Sequence, residues 1–128
     1  MSTRQAVILI DHGSQRASAN ASLENIARSA SQRLGVNVYP AHMAMAEPTL
    51  AQALAQAVAE GANRVVVCPY FLTSGRHGAQ DIPAMAREAA KEFPQVSVVV
   101  SDPLGEDPLL VDLVARRVGP HMQLREKA

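Results

Sequence analysis

The chain has 128 residues, 48% of them hydrophobic and 19% charged, the balance of one globular domain and not of a disordered segment. Its 12 Lys and Arg are matched by 12 Asp and Glu with no basic stretch, which argues against nucleic acid as the main ligand. Apolar runs of only a few residues exclude a membrane span, the start Met1-Ser2-Thr3-Arg4-Gln5 does not resemble a signal peptide, and the lone Cys68 fits a reducing cytoplasm.

Taken in chain order, Ala6 to Ile10 is a β-branched run that reads as a strand buried on both faces. Ala19 to Leu34 places Leu23, Ile26, Ala27, Ala30 and Leu34 at helical spacing, and Gly35 is the expected C-cap. Val36 to Tyr39 begins a second strand, which Pro40 demotes to an edge or an irregular stretch. Pro48 is expected in the first turn of a helix over Thr49 to Glu60, with Leu50, Leu54, Ala57 and Val58 on one face and Gly61 at its end. Arg64 to Pro69 is the third strand, and Cys68 within it reads as a small buried thiol. Asp81 is expected to cap a helix over Ile82 to Phe93, with Pro83 just inside it. Val96 to Val100 is the fourth strand and Pro108 to Val118 the fourth helix.

Strict alternation of strand and helix with short links predicts an α/β fold. Its form is a single-domain, open, parallel four-stranded sheet with right-handed crossovers and helices on both faces. Residues 1–118 would form that domain, and residues 119–128 a polar tail in which His121 is incidental.

In such a sheet the loops after the strands share one edge, where open α/β folds place their ligands. The first of these loops carries Asp11, His12, Gly13, Ser14 and Arg16, and the third carries Ser74, Gly75, Arg76, His77 and Gly78. His12 and His77 therefore stand at matching positions, each beside glycine. Two convergent imidazoles bind transition metals and accept protons near neutral pH. Helix N-termini at the same edge, with Arg16 and Arg76, suit an anionic ligand. Competing motifs are absent or misplaced. There is no dinucleotide or phosphate-loop glycine pattern, and Ser14 is flanked two residues away by His12 and Arg16 instead of the glycines of a nucleophile elbow. Arg76-His77-Gly78 matches a histidine-phosphatase tripeptide, but it follows the third strand and not the first.

The ordered set His12-Gly13-Ser14, Ala46-Glu47-Pro48-Thr49-Leu50, Pro69-Tyr70-Phe71-Leu72 leading to Gly75-Arg76-His77, Asp81-Ile82-Pro83 and Pro103-Leu104-Gly105 resembles the short, CbiX-type sirohydrochlorin chelatases. These belong to the class II chelatases, and the resemblance extends to about Val118. It implies insertion of a divalent metal, Co²⁺ first with Ni²⁺ or Fe²⁺ as in relatives, into sirohydrochlorin during cobalamin- or siroheme-type tetrapyrrole biosynthesis. It implies no cofactor besides that metal substrate, and a homodimer that mimics larger chelatases built from two such domains. His12 and His77 align with the family's two active-site histidines, as metal ligands and proton acceptors. Ser14, Arg16, Ser74, Gly75 and Arg76 become candidate anchors for the carboxylates of the macrocycle.

One position departs from the family. Its members commonly carry a glutamate three residues before the equivalent of Glu47, where this chain has Ala44. His42 would lie on the same side of an extended segment, displaced by about 7 Å, so it is expected to replace part of the missing carboxylate as a third metal group. The plainer reading is that His42 caps a strand end. A rival function follows from Ala44, namely a non-catalytic metal- or tetrapyrrole-binding protein that kept the fold.

Overall fold

The computed structural model describes residues 3–73 and 80–123. Strand and helix alternate as β1 Gln5–Asp11, α1 Ala17–Leu34, β2 Asn37–His42, α2 Leu50–Ala59, β3 Arg64–Pro69, α3 Ile82–Ala90, β4 Ser97–Val100 and α4 Pro108–Val118, followed by a 3-10 turn at Gly119–His121. Among the described residues the strands form one four-stranded sheet in the order β2-β1-β3-β4, and every pairing is parallel. The predicted α/β architecture is the observed one.

Side-chain alternation along β1 divides the core. Ala6, Ile8 and Ile10 join Tyr39 and Ala41 of β2 and Val65 and Val67 of β3 under Leu50, Ala53, Leu54 and Ala57 of α2 and Ile82 and Ala86 of α3. On the other face Leu9 packs against Leu23 and Ala27 of α1, with Val38, Cys68 and Tyr70 at the margin. Cys68 is thus half-buried at the rim of this smaller cluster, and not the enclosed thiol expected from its apolar run.

Boundaries shift for identifiable reasons. α1 starts two residues early because the Arg16 carbonyl accepts from both Ala19 N and Asn20 N. Gly35 ends it in the left-handed region, at φ 73°, as expected. β2 runs through Pro40, and as an edge strand it can turn the missing N–H outward. Pro48 is not in the first turn of α2. Thr49 is the cap instead, extended at φ −78° and ψ 171°, and it forms a reciprocal capping box with Gln52. Asp81 precedes α3, but its side chain makes no capping bond. α3 stops at Ala90, and a turn returns Phe93 N to Ala90 O at 2.9 Å before Pro94. Val96 belongs to that turn, its N–H bonded to Phe93 O, so β4 begins at Ser97.

α4 is well capped, with Asp107 accepting from Leu109 N at 2.8 Å, yet none of its residues is buried. Leu109 and Val111 are 74% and 69% exposed, and Leu113, Val114 and Val118 are exposed with them.

Candidate functional site at the carboxyl edge of the sheet

β1 and β2 end level, with Asp11 opposite His42 in the register. The ladder continues past both strand ends. Met43 N donates to Asp11 O at 2.9 Å and Ala44 N donates to His12 O at 3.0 Å. The backbone of His12 is therefore tied to the neighbouring segment, while its side chain stands exposed in the loop. Gly13 follows at φ 94°, and a Cβ there would lie 1.9 Å from Ala44 O and 3.1 Å from the Cβ of His42. Only glycine satisfies both that dihedral and that approach.

Beyond the glycine the loop closes on α1. Ser14 Oγ accepts from Arg16 N at 3.0 Å. Asn20 grips the same residue from the helix, its Nδ2 donating to Ser14 O at 2.8 Å and its Oδ1 accepting from Ser14 N at 3.1 Å. His12, Ser14 and Arg16 thus share one pinned loop, with the Arg16 side chain exposed at the N-cap of α1. Sequence reasoning missed Asn20, whose helical position advertises no loop contact.

The connection after β3 leaves beside this loop, with Tyr70 N donating to Ile10 O at 2.7 Å. Leu104 N and Gly105 N both donate to Phe71 O, at 3.0 and 3.3 Å. A Cβ at Gly105 would meet Leu72 O at 1.7 Å. Gly13 thus presses the first loop on the segment after β2, and Gly105 presses the segment after β4 on Leu72. Ser74, Gly75, Arg76 and His77 lie outside the described residues. Thr73 and Gln80 flank them, between the end of β3 and the start of α3.

His42 and Ala44 do not share a side. His42 is 1% exposed, the single buried polar or charged residue among those described, whereas Ala44 is exposed. The segment does not stay extended: His42 N donates to Pro48 O at 2.9 Å and Met45 adopts φ 69°, so the chain doubles back. His42 Nδ1 lies 2.6 Å from Asp11 Oδ1. A carboxylate only accepts, so Nδ1 carries the hydrogen. Glu47 accepts from Gln52 Nε2 at 2.6 Å and is engaged at the start of α2.

Among the described residues no three metal-ligating side chains gather. A cavity of about 760 Å³ between α3 and β4 is lined by Ala86, Phe93, Val98, Val100 and Ser101 but not by His12. In the first loop His12, Gln15 and Arg16 are exposed, while Asp11, Gly13 and Ser14 are half-buried. No helix among the described residues is long and apolar enough to cross a membrane.

The sequence model of the CbiX family matches residues 6–120. A relative named sirohydrochlorin ferrochelatase, chloroplastic, from Arabidopsis thaliana is 42% identical over 113 residues, covering 88% of this chain and 50% of its own. The chain therefore spans half the length of that relative. A sirohydrochlorin cobaltochelatase from Methanocaldococcus jannaschii is 28% identical over 141 residues, covering 88% of this chain and 96% of its own. The crystal structure of the CbiX protein from Marinobacter aquaeolei VT8 superposes with a TM-score of 0.79 at 30% identity, covering 91% of this chain and 96% of that one. With its parallel sheet, its glycine-pinned histidine loop and a match across nearly its whole length, the chain belongs to the CbiX family.

Proposed function

We propose that the chain is a chelatase that inserts a divalent metal into sirohydrochlorin. The observation that carries this reading is the His12 loop at the sheet's carboxyl edge, its backbone tied to Ala44 and its imidazole exposed, in a chain matched to CbiX over residues 6–120. His12 and His77 hold the metal and take up pyrrole protons. Neutral imidazoles suit first-row divalent ions and bind less tenaciously than a thiolate cage, and metal binding through them is coupled to proton release. Arg16 and Arg76 pair with substrate carboxylates, assisted by Ser14, Ser74 and Gly75. Ser14 Oγ already accepts from Arg16 N, which leaves its O–H free to donate to the ligand. No resident cofactor is required.

Co²⁺ is the ion proposed. Fe²⁺ is the second reading, favoured by 42% identity to a relative named as a ferrochelatase against 28% to one named as a cobaltochelatase. Ni²⁺ is the third ion for comparison. The apolar, unburied α4 supports a homodimer, in which a second copy would wall the open edge. The lone Cys68 suits a reducing compartment, with the cytoplasm proposed.

The test is to mix purified chain with sirohydrochlorin and Co²⁺, Fe²⁺ or Ni²⁺ and follow the absorbance change against a protein-free control. Insertion faster than the control, abolished by His12→Ala, supports the chelatase. Insertion at the control rate with tight binding of metal or macrocycle supports the rival, a non-catalytic binding protein that kept the fold.

A further inference from the structure

We propose that His42 is a positioning residue for His12, acting through Asp11. The inference rests on the chelatase reading only in assigning His12 its work on the metal. Asp11, the last residue of β1, and the two residues after it each meet one neighbouring segment, and by a different kind of contact. Asp11 Oδ1 accepts from His42 Nδ1 at 2.6 Å, His12 O accepts from Ala44 N at 3.0 Å, and Gly13 is so close to His42 that a Cβ would sit 3.1 Å from the His42 Cβ. Asp11 and His42 are register partners at the ends of adjacent parallel strands. Their bond therefore braces the two strand ends against each other one residue before His12.

The chemistry favours a support over a ligand. His42 is 1% exposed and its Nδ1 is engaged, so a metal carried by a macrocycle would have to open the packing to reach the ring. An apolar side chain could fill the space but would leave Asp11, 22% exposed, without its donor. A buried imidazole here makes sense as the polar partner that holds Asp11, and with it the loop, in one arrangement. Hydrogen-bonded supports behind metal ligands orient them, and losing one typically costs about 10- to 100-fold in metal affinity or activity.

The experiment compares the full chain with His42→Leu, His42→Asn, Asp11→Ala and the double variant His42→Leu/Asp11→Ala, each checked for a cooperative thermal transition. Asn places its amide nitrogen near the site of Nδ1 and can still donate to Asp11. With sirohydrochlorin and Co²⁺, His42→Leu should lower kcat by about tenfold or more with KM for the macrocycle little changed. His42→Asn should restore most of the loss, and Asp11→Ala should match His42→Leu, with the double variant no worse than either. A second readout uses the metal-free chain: the ¹H–¹⁵N imidazole signals of His12 should form one sharp set in the wild type and in His42→Asn, and broaden or split in His42→Leu. A wild type that inserts no metal faster than the control overturns the chelatase reading, while the His12 signals still decide the positioning role. Unchanged His12 signals in folded His42→Leu overturn the positioning role. So does a His42→Asn variant as impaired as His42→Leu in Co²⁺ affinity, which would make His42 a ligand.

Discussion

Gly13→Ala is the sharpest probe of the histidine loop, because its cost separates into two parts that a second glycine measures apart. Gly13 and Gly35 both adopt left-handed backbone, at φ 94° and φ 73°. A methyl at Gly35 meets nothing within 4 Å, so Gly35→Ala should cost only the dihedral strain of about 1–2 kcal/mol. At Gly13 the same methyl would sit 1.9 Å from Ala44 O and 3.1 Å from Ala44 C. Those are backbone atoms that must move bodily, and overpacking of this kind adds about 1–3 kcal/mol. The total for Gly13→Ala is then about 2–5 kcal/mol. With unfolding entropy of about 2.1 cal/mol/K per residue over 128 residues, each kcal/mol moves Tm by about 4 °C. Gly13→Ala should therefore melt about 8–20 °C below wild type and Gly35→Ala about 4–8 °C below it. Thermal unfolding followed by circular dichroism measures both. Equal losses in the two variants would refute the reasoning, since the approach of Gly13 to Ala44 would then cost nothing.

Three further expectations follow. Gly105→Ala, whose Cβ would meet Leu72 O at 1.7 Å, should destabilise by about 1–3 kcal/mol in urea unfolding and slow metal insertion by displacing the connection after β3. Val111→Lys on the exposed face of α4 should leave monomer stability within about 0.5 kcal/mol, yet shift the chain toward monomer in sedimentation velocity. Tyr39 is raised from its ordinary value of 10.0 by burial first and then by its hydrogen bond to Glu60, against a smaller opposing bond from Asn37. A raised folded value means its contribution is complete below the ordinary value and lost as pH rises through the folded one. The gap in Tm between wild type and Tyr39→Phe should accordingly narrow as the pH climbs past about 10; a constant gap would remove the explanation.

The sheet was legible because its signals are local. β-branched runs mark β1 and β3, Pro40 marks β2 as an edge, and Gly35 ends α1 in the conformation that glycine allows. The partnership of His42 with Asp11 was not, because it joins residues 31 apart and depends on the register of two strands. Placing His42 beside Ala44 assumed an extended segment, whereas the bond from His42 N to Pro48 O folds it back. Asn20 was hidden for the opposite reason: a polar residue in the first turns of a helix looks solvated until the preceding loop is seen to lean on it. α4 shows the limit of pattern alone, since its apolar stripe is like that of a buried helix but faces outward.

The two backbone hydrogen bonds that carry the β1–β2 ladder beyond its strands, donated by Met43 and Ala44 to Asp11 and His12, bear on how a metal would be surrendered. Their ordering cost falls on folding, so an ion arriving at His12 would meet a donor whose main chain is already in place. The same bonds oppose pursuit. A ligand on a floppy loop could follow the ion as the macrocycle draws it away, and so retain it. A ligand anchored to the sheet can swing only its side chain. If His12 is the metal ligand proposed above, past that reach its imidazole would let go, and a donor with so short a tether would favour one-way transfer over storage.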